Sequence, residues 1–176
     1  FLYGIRNVFP EAWRDFVAPL PEDERDELLA NYYRRLTSDD PADYQPAARA
    51  WSRYEGACST LLPSPETVAA FGEDDMAYAL ARIETHYFVN DCFLDDDQLL
   101  AGVRKIRHLP CTIIQGRYDM ICPIATADEL HRAWPGSNMV IVPDAGHSAM
   151  DAGVRAALVA ATERGKRDRK STRLNS

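Results

Sequence analysis

Apolar residues recur at three- and four-residue spacings over roughly the first hundred positions, which is the period of an amphipathic helix. Pro21 opens one such segment, with acidic residues crowding its first turn at the positive end of a helix dipole. Its apolar face consists of Leu28, Leu29, Tyr32, Tyr33 and Leu36. The break at Ser38–Pro41 ends it, and further long helices are expected after Pro46 and after Gly72. Residues 8 to about 106 are therefore predicted to be helices punctuated by prolines.

The pattern changes at about residue 109. Two short apolar runs of strand type, Thr112–Gln115 and Met139–Val142, alternate with helical segments up to about residue 165. Pro123 is predicted to open the first of these helices, and Trp134-Pro135-Gly136 to close it. Such alternation of strand and helix builds parallel sheets. Because two strands do not make a sheet domain, this portion is expected to lack most of its own core.

Each strand-like run leads into a turn that ends on a residue able to take part in acid–base catalysis. This residue is Asp119 after the first run and His147 after the second. In serine hydrolases a carboxylate orients an imidazole, and the imidazole takes the proton of a nucleophilic hydroxyl. Asp119 and His147 are therefore candidate catalytic residues. The residues alone leave another interpretation open, in which Asp119 caps the helix near Pro123 and His147 is an ordinary surface or core histidine.

A nucleophile to accompany this pair is not evident. The strand-to-helix elbow G-x-S-x-G, which exposes a reactive serine, does not occur among the 176 residues, although eight serines do. The nearest approach, Gly56–Thr60, lacks the second glycine and falls inside a helical pattern. The chain is thus expected to carry a relay without its nucleophile.

Two glutamates, Glu55 and Glu84, fall on or beside the apolar stripes of two successive predicted helices. The first stripe consists of Ala47, Trp51, Tyr54, Cys58 and Leu62. The second consists of Met76, Leu80, Tyr87 and Phe88. Both carboxylates are predicted to point inward, and a buried carboxylate is costly unless it meets a cation or hydrogen-bond donors. Pairing with Arg53, Arg82 or another arginine of these helices is the structural alternative that the sequence leaves open.

Several motifs together carry a resemblance to a known family. They are Phe9–Trp13, Arg35–Pro41, Ala50–Gly56, Ala81–Phe88, Gly116–Asp119 with Cys122-Pro123, Glu129–Pro135 and Val142–Ser148. In this order they resemble the helical cap and the C-terminal part of proline iminopeptidases, from about Val8 to about Thr162. Since the chain begins with Phe1 and not with Met, it is interpreted as the C-terminal portion of such an enzyme.

The resemblance implies an α/β-hydrolase fold, here only the helical cap plus the last two strands and helices of the sheet domain. The predicted domains are a cap over residues 1–106 and the C-terminal part of the hydrolase core over 107–165. A basic tail over 166–176 carries five basic residues against one acidic, with almost no apolar content. It is expected to be disordered and foreign to the family.

The function implied by the resemblance is that of a serine exopeptidase releasing N-terminal proline from peptides. Asp119 and His147 would be two members of its triad, and Glu55 and Glu84 would bind the free amino group of the substrate. No metal or organic cofactor is implied, and the chain alone is expected to be inactive. Two alternatives stay open: a piece of another capped hydrolase, such as an esterase or epoxide hydrolase, and an amine-binding module without a nucleophile.

Composition narrows the classes of partner. The chain is 46% hydrophobic with a net charge of −7, which argues against a nucleic-acid or anionic-membrane partner. No apolar run approaches the roughly 18 residues that a membrane span needs. The four cysteines show no C-x-x-C spacing, so reduced thiols and a cytoplasmic location are expected. The oligomeric state is left open.

Overall fold

In the computed structural model, residues 1–174 are described, with their side chains described as far as residue 166. The chain divides into two compact units, Phe1–Gln98 and Leu99–Ser176. Among the described helices, none is both long enough and apolar enough to cross a membrane.

The first unit is helical, as predicted. Its α-helices are α1 (Pro10–Val17), α2 (Leu28–Leu36), α3 (Pro41–Ser59), α4 (Pro65–Phe71) and α5 (Asp74–Val89). Short 3-10 segments lie at Ile5–Asn7, Glu22–Glu27 and Asp91–Phe93. The acidic segment after Pro21 therefore forms a 3-10 turn that leads into α2, and the helix expected after Gly72 is α5.

Helix α3 begins earlier than predicted, at Pro41, and Pro46 lies inside it. Asp40 caps the helix by accepting a hydrogen bond from the backbone N–H of Ala42 at 2.8 Å, and Pro41 occupies the first turn, where no N–H is needed. Pro46 forfeits one backbone bond near this start, which a helix of 19 residues packed against four others tolerates.

An aromatic cluster forms the core of the first unit. Phe16 stacks on Tyr32 and on Tyr54, with ring centroids 4.7 Å and 4.5 Å apart, and Trp51 packs edge-on against Phe16. All four side chains are at most 2% exposed. The predicted stripe of α3 is thus buried, except that Leu62 lies beyond the end of the helix and is 74% exposed.

The buried face of α5 differs from the predicted one. Ala77, Ala81 and Thr85 are fully buried, whereas Met76 and Tyr87 are exposed. Small residues let α5 approach α3 closely enough for the Ser52 hydroxyl to donate a hydrogen bond to the carbonyl of Ala77 at 3.0 Å. Helix packing therefore selects a strip of small residues over the larger apolar ones one position away.

The second unit carries the sheet. Its elements are α6 (Gln98–Ile106), β1 (Thr112–Gly116), α7 (Ile124–Ala133), β2 (Asn138–Val142) and α8 (Ala152–Leu174). The two strands pair in parallel, with Thr112 opposite Asn138 and Gly116 opposite Val142. The division at Gln98/Leu99 assigns nearly all of α6 to this unit, although the predicted boundary was at 106/107.

The core of the second unit is sparse, as expected for two strands. Its buried residues Val142, Ala145 and Val154 pack with the half-buried Ile114 and Ala157. Helix α8 runs as far as Leu174, which differs from the disordered tail expected from residue 166. Lysine and arginine are good helix formers, and extending an existing helix costs little. Residues 175 and 176 lie outside the described part of the chain, and the foreign origin of the tail stays a prediction.

Gly116 ends β1 where no side chain fits. A Cβ there would lie 1.9 Å from the carbonyl oxygen of Gly146 and 2.8 Å from that of Ala145. Since both contacts are backbone atoms, Gly116→Ala is expected to destabilise the second unit by about 3 kcal/mol. Urea unfolding followed by circular dichroism measures this. Gly102→Ala on α6 is the control, because its Cβ meets nothing within 4 Å. Equal stabilities of the two variants would contradict the prediction.

Candidate active site

The turn after β1 holds Asp119 in a fixed orientation. The side chain is buried, and its Oδ1 accepts hydrogen bonds from the backbone N–H groups of Ile121 at 3.1 Å and Cys122 at 2.8 Å. Its Oδ2 accepts a bond from Nε2 of Gln115 at 3.0 Å. The same Gln115 nitrogen donates to the carbonyl oxygen of Cys122 at 3.0 Å, which ties the turn to the end of the strand.

His147 follows β2 and meets this carboxylate. Its Nδ1 lies 3.1 Å from both Oδ1 and Oδ2 of Asp119. The contact follows from the topology, because β1 and β2 are adjacent and parallel, so their carboxyl ends lie at the same edge of the sheet. The structure therefore brings together the two residues that the sequence singled out as candidate catalytic residues.

The electrostatics of the pair are those of an imidazolium beside a carboxylate. The hydrogen bond with Asp119, followed by that with the Cys122 side chain, outweighs burial and raises the pKa of His147 from 6.5 to about 10. For Asp119, burial acts to raise the pKa, but the bonds from His147 and from the amides of Cys122 and Ile121 hold it below its usual value of 3.8. In this chain the pair is ionised at neutral pH.

The capping interpretation of Asp119 holds as well. Its bonds to the amides of Ile121 and Cys122 shape the turn before α7, whose N-cap residue Pro123 supplies no side-chain bond. The carboxylate thus shapes the turn through Oδ1 and still contacts His147, so its two interpretations are compatible.

The two glutamates lie in the first unit, on helices that pack against one another. Glu55 on α3 is buried, at 8% exposure. Glu84 on α5 is half-buried and accepts a hydrogen bond from the indole Nε1–H of Trp51 at 2.7 Å. Because Trp51 and Glu55 are one helical turn apart on α3, this bond holds Glu84 against the part of α3 that carries Glu55.

The arginine alternative is not realised for Glu84. The Arg82 guanidinium lies over the ring of Tyr33, at 5.3 Å from its centroid. Arg53 packs against Gly72, where an added Cβ would lie 2.4 Å from its Nε. Within residues 1–166, neither arginine forms an ion pair with Glu84.

Comparison with known proteins finds relatives along most of the chain. Residues 98–170 match a family model described as TAP-like protein, of the α/β-hydrolases. The chain is 49% identical over 162 residues to a probable proline iminopeptidase of Leptolyngbya boryana, covering 92% of this chain and 50% of the relative. It is 45% identical over 161 residues to the proline iminopeptidase of Xylella fastidiosa strain Temecula1, covering 91% and 51%. For the proline iminopeptidase of Arabidopsis thaliana the identity is 46% over 165 residues, covering 93% and 43%.

The chain belongs to the proline iminopeptidase family. It spans about half the length of the curated relatives it matches. The family match places the strands and helices of the second unit within an α/β-hydrolase fold, as the motifs predicted.

Two residues of this family member that support the candidate site were missed in the sequence. Gln115 is a polar residue near the end of an apolar strand, and the spacing of four residues to Asp119 was the available signal. Trp51 was assigned only to the apolar stripe, although a buried indole N–H normally finds an acceptor. Within the described side chains, no three His, Cys, Asp or Glu residues cluster so as to hold a metal ion.

Proposed function

We propose that this chain forms part of a serine exopeptidase that releases N-terminal proline from peptides, with Asp119 and His147 as two members of its triad. The observation that supports this most strongly is the contact of His147 Nδ1 with both carboxylate oxygens of Asp119 at 3.1 Å. This contact holds the imidazole through Nδ1 and leaves Nε2 for the hydroxyl of a nucleophile. The relatives, named as proline iminopeptidases, supply the substrate class.

In the proposed reaction, a serine from outside these 176 residues attacks the carbonyl carbon of the N-terminal proline. His147 takes the serine proton and delivers it to the nitrogen of the leaving amine, so the peptide bond breaks and an acyl-enzyme remains. Water then attacks the ester carbonyl, and His147 takes its proton and passes it to the serine oxygen, so the ester bond breaks and free proline leaves. Asp119 keeps the imidazole oriented and stabilises its protonated form.

His147 must be neutral before it can accept a proton. In this chain its pKa is raised to about 10, so the ring is protonated at neutral pH. A complete hydrolase site removes water from the imidazole, and desolvation lowers the pKa of a histidine. The proposal therefore includes a lower pKa for His147 in the full active site than in the chain alone.

Glu55 and Glu84 are proposed to bind the amine of the substrate. The ring nitrogen of an N-terminal proline is cationic at neutral pH, and an enzyme that removes one residue from a free N-terminus has to recognise that charge. Carboxylates that are withdrawn from solvent bind a cation more strongly than exposed ones. The bond from Trp51 occupies one oxygen of Glu84 and leaves the rest of the carboxylate for the ligand.

This assignment separates the peptidase from its alternatives. An esterase or epoxide hydrolase acts on neutral substrates, which give the two carboxylates nothing to bind. An amine-binding module would share the glutamates, but it would need no aspartate-oriented histidine.

The purified 176-residue chain is expected to release no product from proline p-nitroanilide, because it contains no serine elbow. A hybrid that joins it to the half of the Leptolyngbya boryana relative that it does not match is expected to be active. Reaction of the hybrid with a fluorophosphonate confirms a formed serine site independently of turnover. Release of proline by the chain alone, abolished by His147→Ala, would overturn the placement of the nucleophile. A labelled hybrid that hydrolyses neutral esters but no proline anilide would contradict the peptidase assignment.

A further inference from the structure

A cavity of about 880 Å³ lies in the first unit, between α1, α3 and the segment that leads into α4. This volume is in the range of small-molecule sites. On α3 the cavity is lined at positions spaced by three and four residues, among them Pro46, Arg49, Arg53 and Ala57. Glu55 comes two residues after Arg53, which is about 200° around the helix. The cavity thus faces away from the proposed amine site.

The walls of the cavity carry opposite charges. Glu11 and Asp15 lie one turn apart on α1, and Arg49 and Arg53 lie one turn apart on α3. Arg49 is bound to Asp74 at 2.6 Å, outside the cavity lining. Within the described residues, Arg53 forms no ion pair, and the same holds for Glu11 and Asp15. The cavity therefore presents two anionic groups on one wall and an uncompensated cation on the other.

The position of Arg53 is set by packing. Its side chain lies against Gly72, where an added Cβ would come within 2.4 Å of Nε and 3.0 Å of Cγ. Between the charged walls the lining is largely apolar, and it includes Phe9, Ala12, Ala50, Leu61 and Val68. Tyr54 also lines the cavity, and its buried hydroxyl has no hydrogen-bond partner among the described residues.

We propose that this cavity binds a short peptide as a zwitterion, which is a function beyond the proposed hydrolysis and independent of it. The ammonium group lies at Glu11 and Asp15, the C-terminal carboxylate lies at Arg53, and the side chains cover the apolar lining. A guanidinium binds a carboxylate in a bidentate manner. The cavity of about 880 Å³ is of the size that holds a drug-sized ligand, so a tripeptide fills it and a free amino acid does not.

The test is titration of the 176-residue chain with the tripeptide Ala-Leu-Ala, followed by calorimetry. Saturable binding is expected, weakened at least tenfold by Arg53→Gln and by the double change Glu11→Gln with Asp15→Asn. Arg14→Gln is the matched control, because Arg14 is exposed on α1, does not line the cavity and carries the same charge. In the double variant Glu55→Gln with Glu84→Gln, which removes the charge of the proposed amine site, saturable binding that is weakened by Arg53→Gln is expected to remain.

The charges are also tested from the side of the ligand. The N-acetylated and the C-amidated tripeptides are each expected to bind the unmodified chain at least tenfold more weakly than Ala-Leu-Ala does. Because this comparison needs no variant, a variant that fails to fold does not decide the result. Absence of binding by Ala-Leu-Ala, or equal affinities for Arg53→Gln and Arg14→Gln, would overturn the proposal. Loss of all saturable binding in the double variant Glu55→Gln with Glu84→Gln would overturn it as well, and would assign the peptide to the proposed amine site.

Discussion

Replacement of Asp119 by asparagine is expected to lower the pKa of His147 from about 10 towards its ordinary value of 6.5. The hydrogen bond that His147 donates to the Asp119 carboxylate is the largest contribution that raises this pKa, and the amide of asparagine carries no charge. In the active hybrid the same change is expected to reduce kcat by roughly 10⁴-fold, since an amide favours the wrong imidazole tautomer.

Histidine Cε1–H resonances of the 176-residue chain, titrated by NMR, measure the pKa directly. The chain has four histidines, and His147→Gln identifies the signal of interest by its loss. Asp128→Asn is the matched control, because this substitution also removes one negative charge but does so on α7, where Asp128 pairs with Arg132 at 3.0 Å. A pKa near 10 that persists in Asp119→Asn would show that the 3.1 Å contact does not determine the protonation of His147.

The same shifts fix the sign of the pH dependence of stability. Because the folded-state pKa of His147 lies above 6.5, its stabilising contribution is complete below pH 6.5 and is lost as the pH rises through about 10. Because the pKa of Asp119 is lowered, its contribution is complete above pH 3.8 and is lost as the pH falls through the folded-state value. The pair thus stabilises the second unit most between pH 3.8 and pH 6.5.

In the second unit, the residues that meet at the ends of the two strands could be predicted from the sequence. Asp119 and His147 each follow a short apolar run, and adjacent parallel strands bring their carboxyl ends to the same edge of the sheet. Both steps depend on local sequence and on a general property of the sheet. The roles of Gln115 and of the amides after Asp119 depend on the conformation of one turn, which residue spacing does not determine.

The helices show where local patterns fail. The choice of Ala77, Ala81 and Thr85 as the buried face of α5 depends on how closely α3 approaches, and the contact between Ser52 and Ala77 spans 25 residues. The contact between Trp51 and Glu84 spans 33 residues and is equally non-local. Periodicity predicted that each helix has an apolar face, but neighbouring apolar stripes on one helix were distinguishable only by packing.

Neutralising either glutamate is expected to produce the largest effect in the first unit. In the active hybrid, Glu55→Gln and Glu84→Gln are each expected to reduce kcat/KM for proline p-nitroanilide by roughly 30- to 1,000-fold. Loss of one partner from a desolvated, hydrogen-bonded charge pair costs about 2–4 kcal/mol, and each 1.4 kcal/mol is tenfold. Glutamine keeps the size and one acceptor of the side chain, so the loss reports the charge.

A neutral acetate ester, assayed with the same variants, separates amine binding from folding. Its hydrolysis by the hybrid is expected to be unchanged by Glu55→Gln and by Glu84→Gln, because the ester carries no cation. Glu66→Gln is the charge-matched control on the exposed surface of α4, and it should alter neither reaction. Equal losses of activity on the anilide and on the ester would mean that the glutamates support the fold of the first unit and do not bind the substrate amine. The aspartate–histidine pair would then belong to a hydrolase whose specificity comes from other residues.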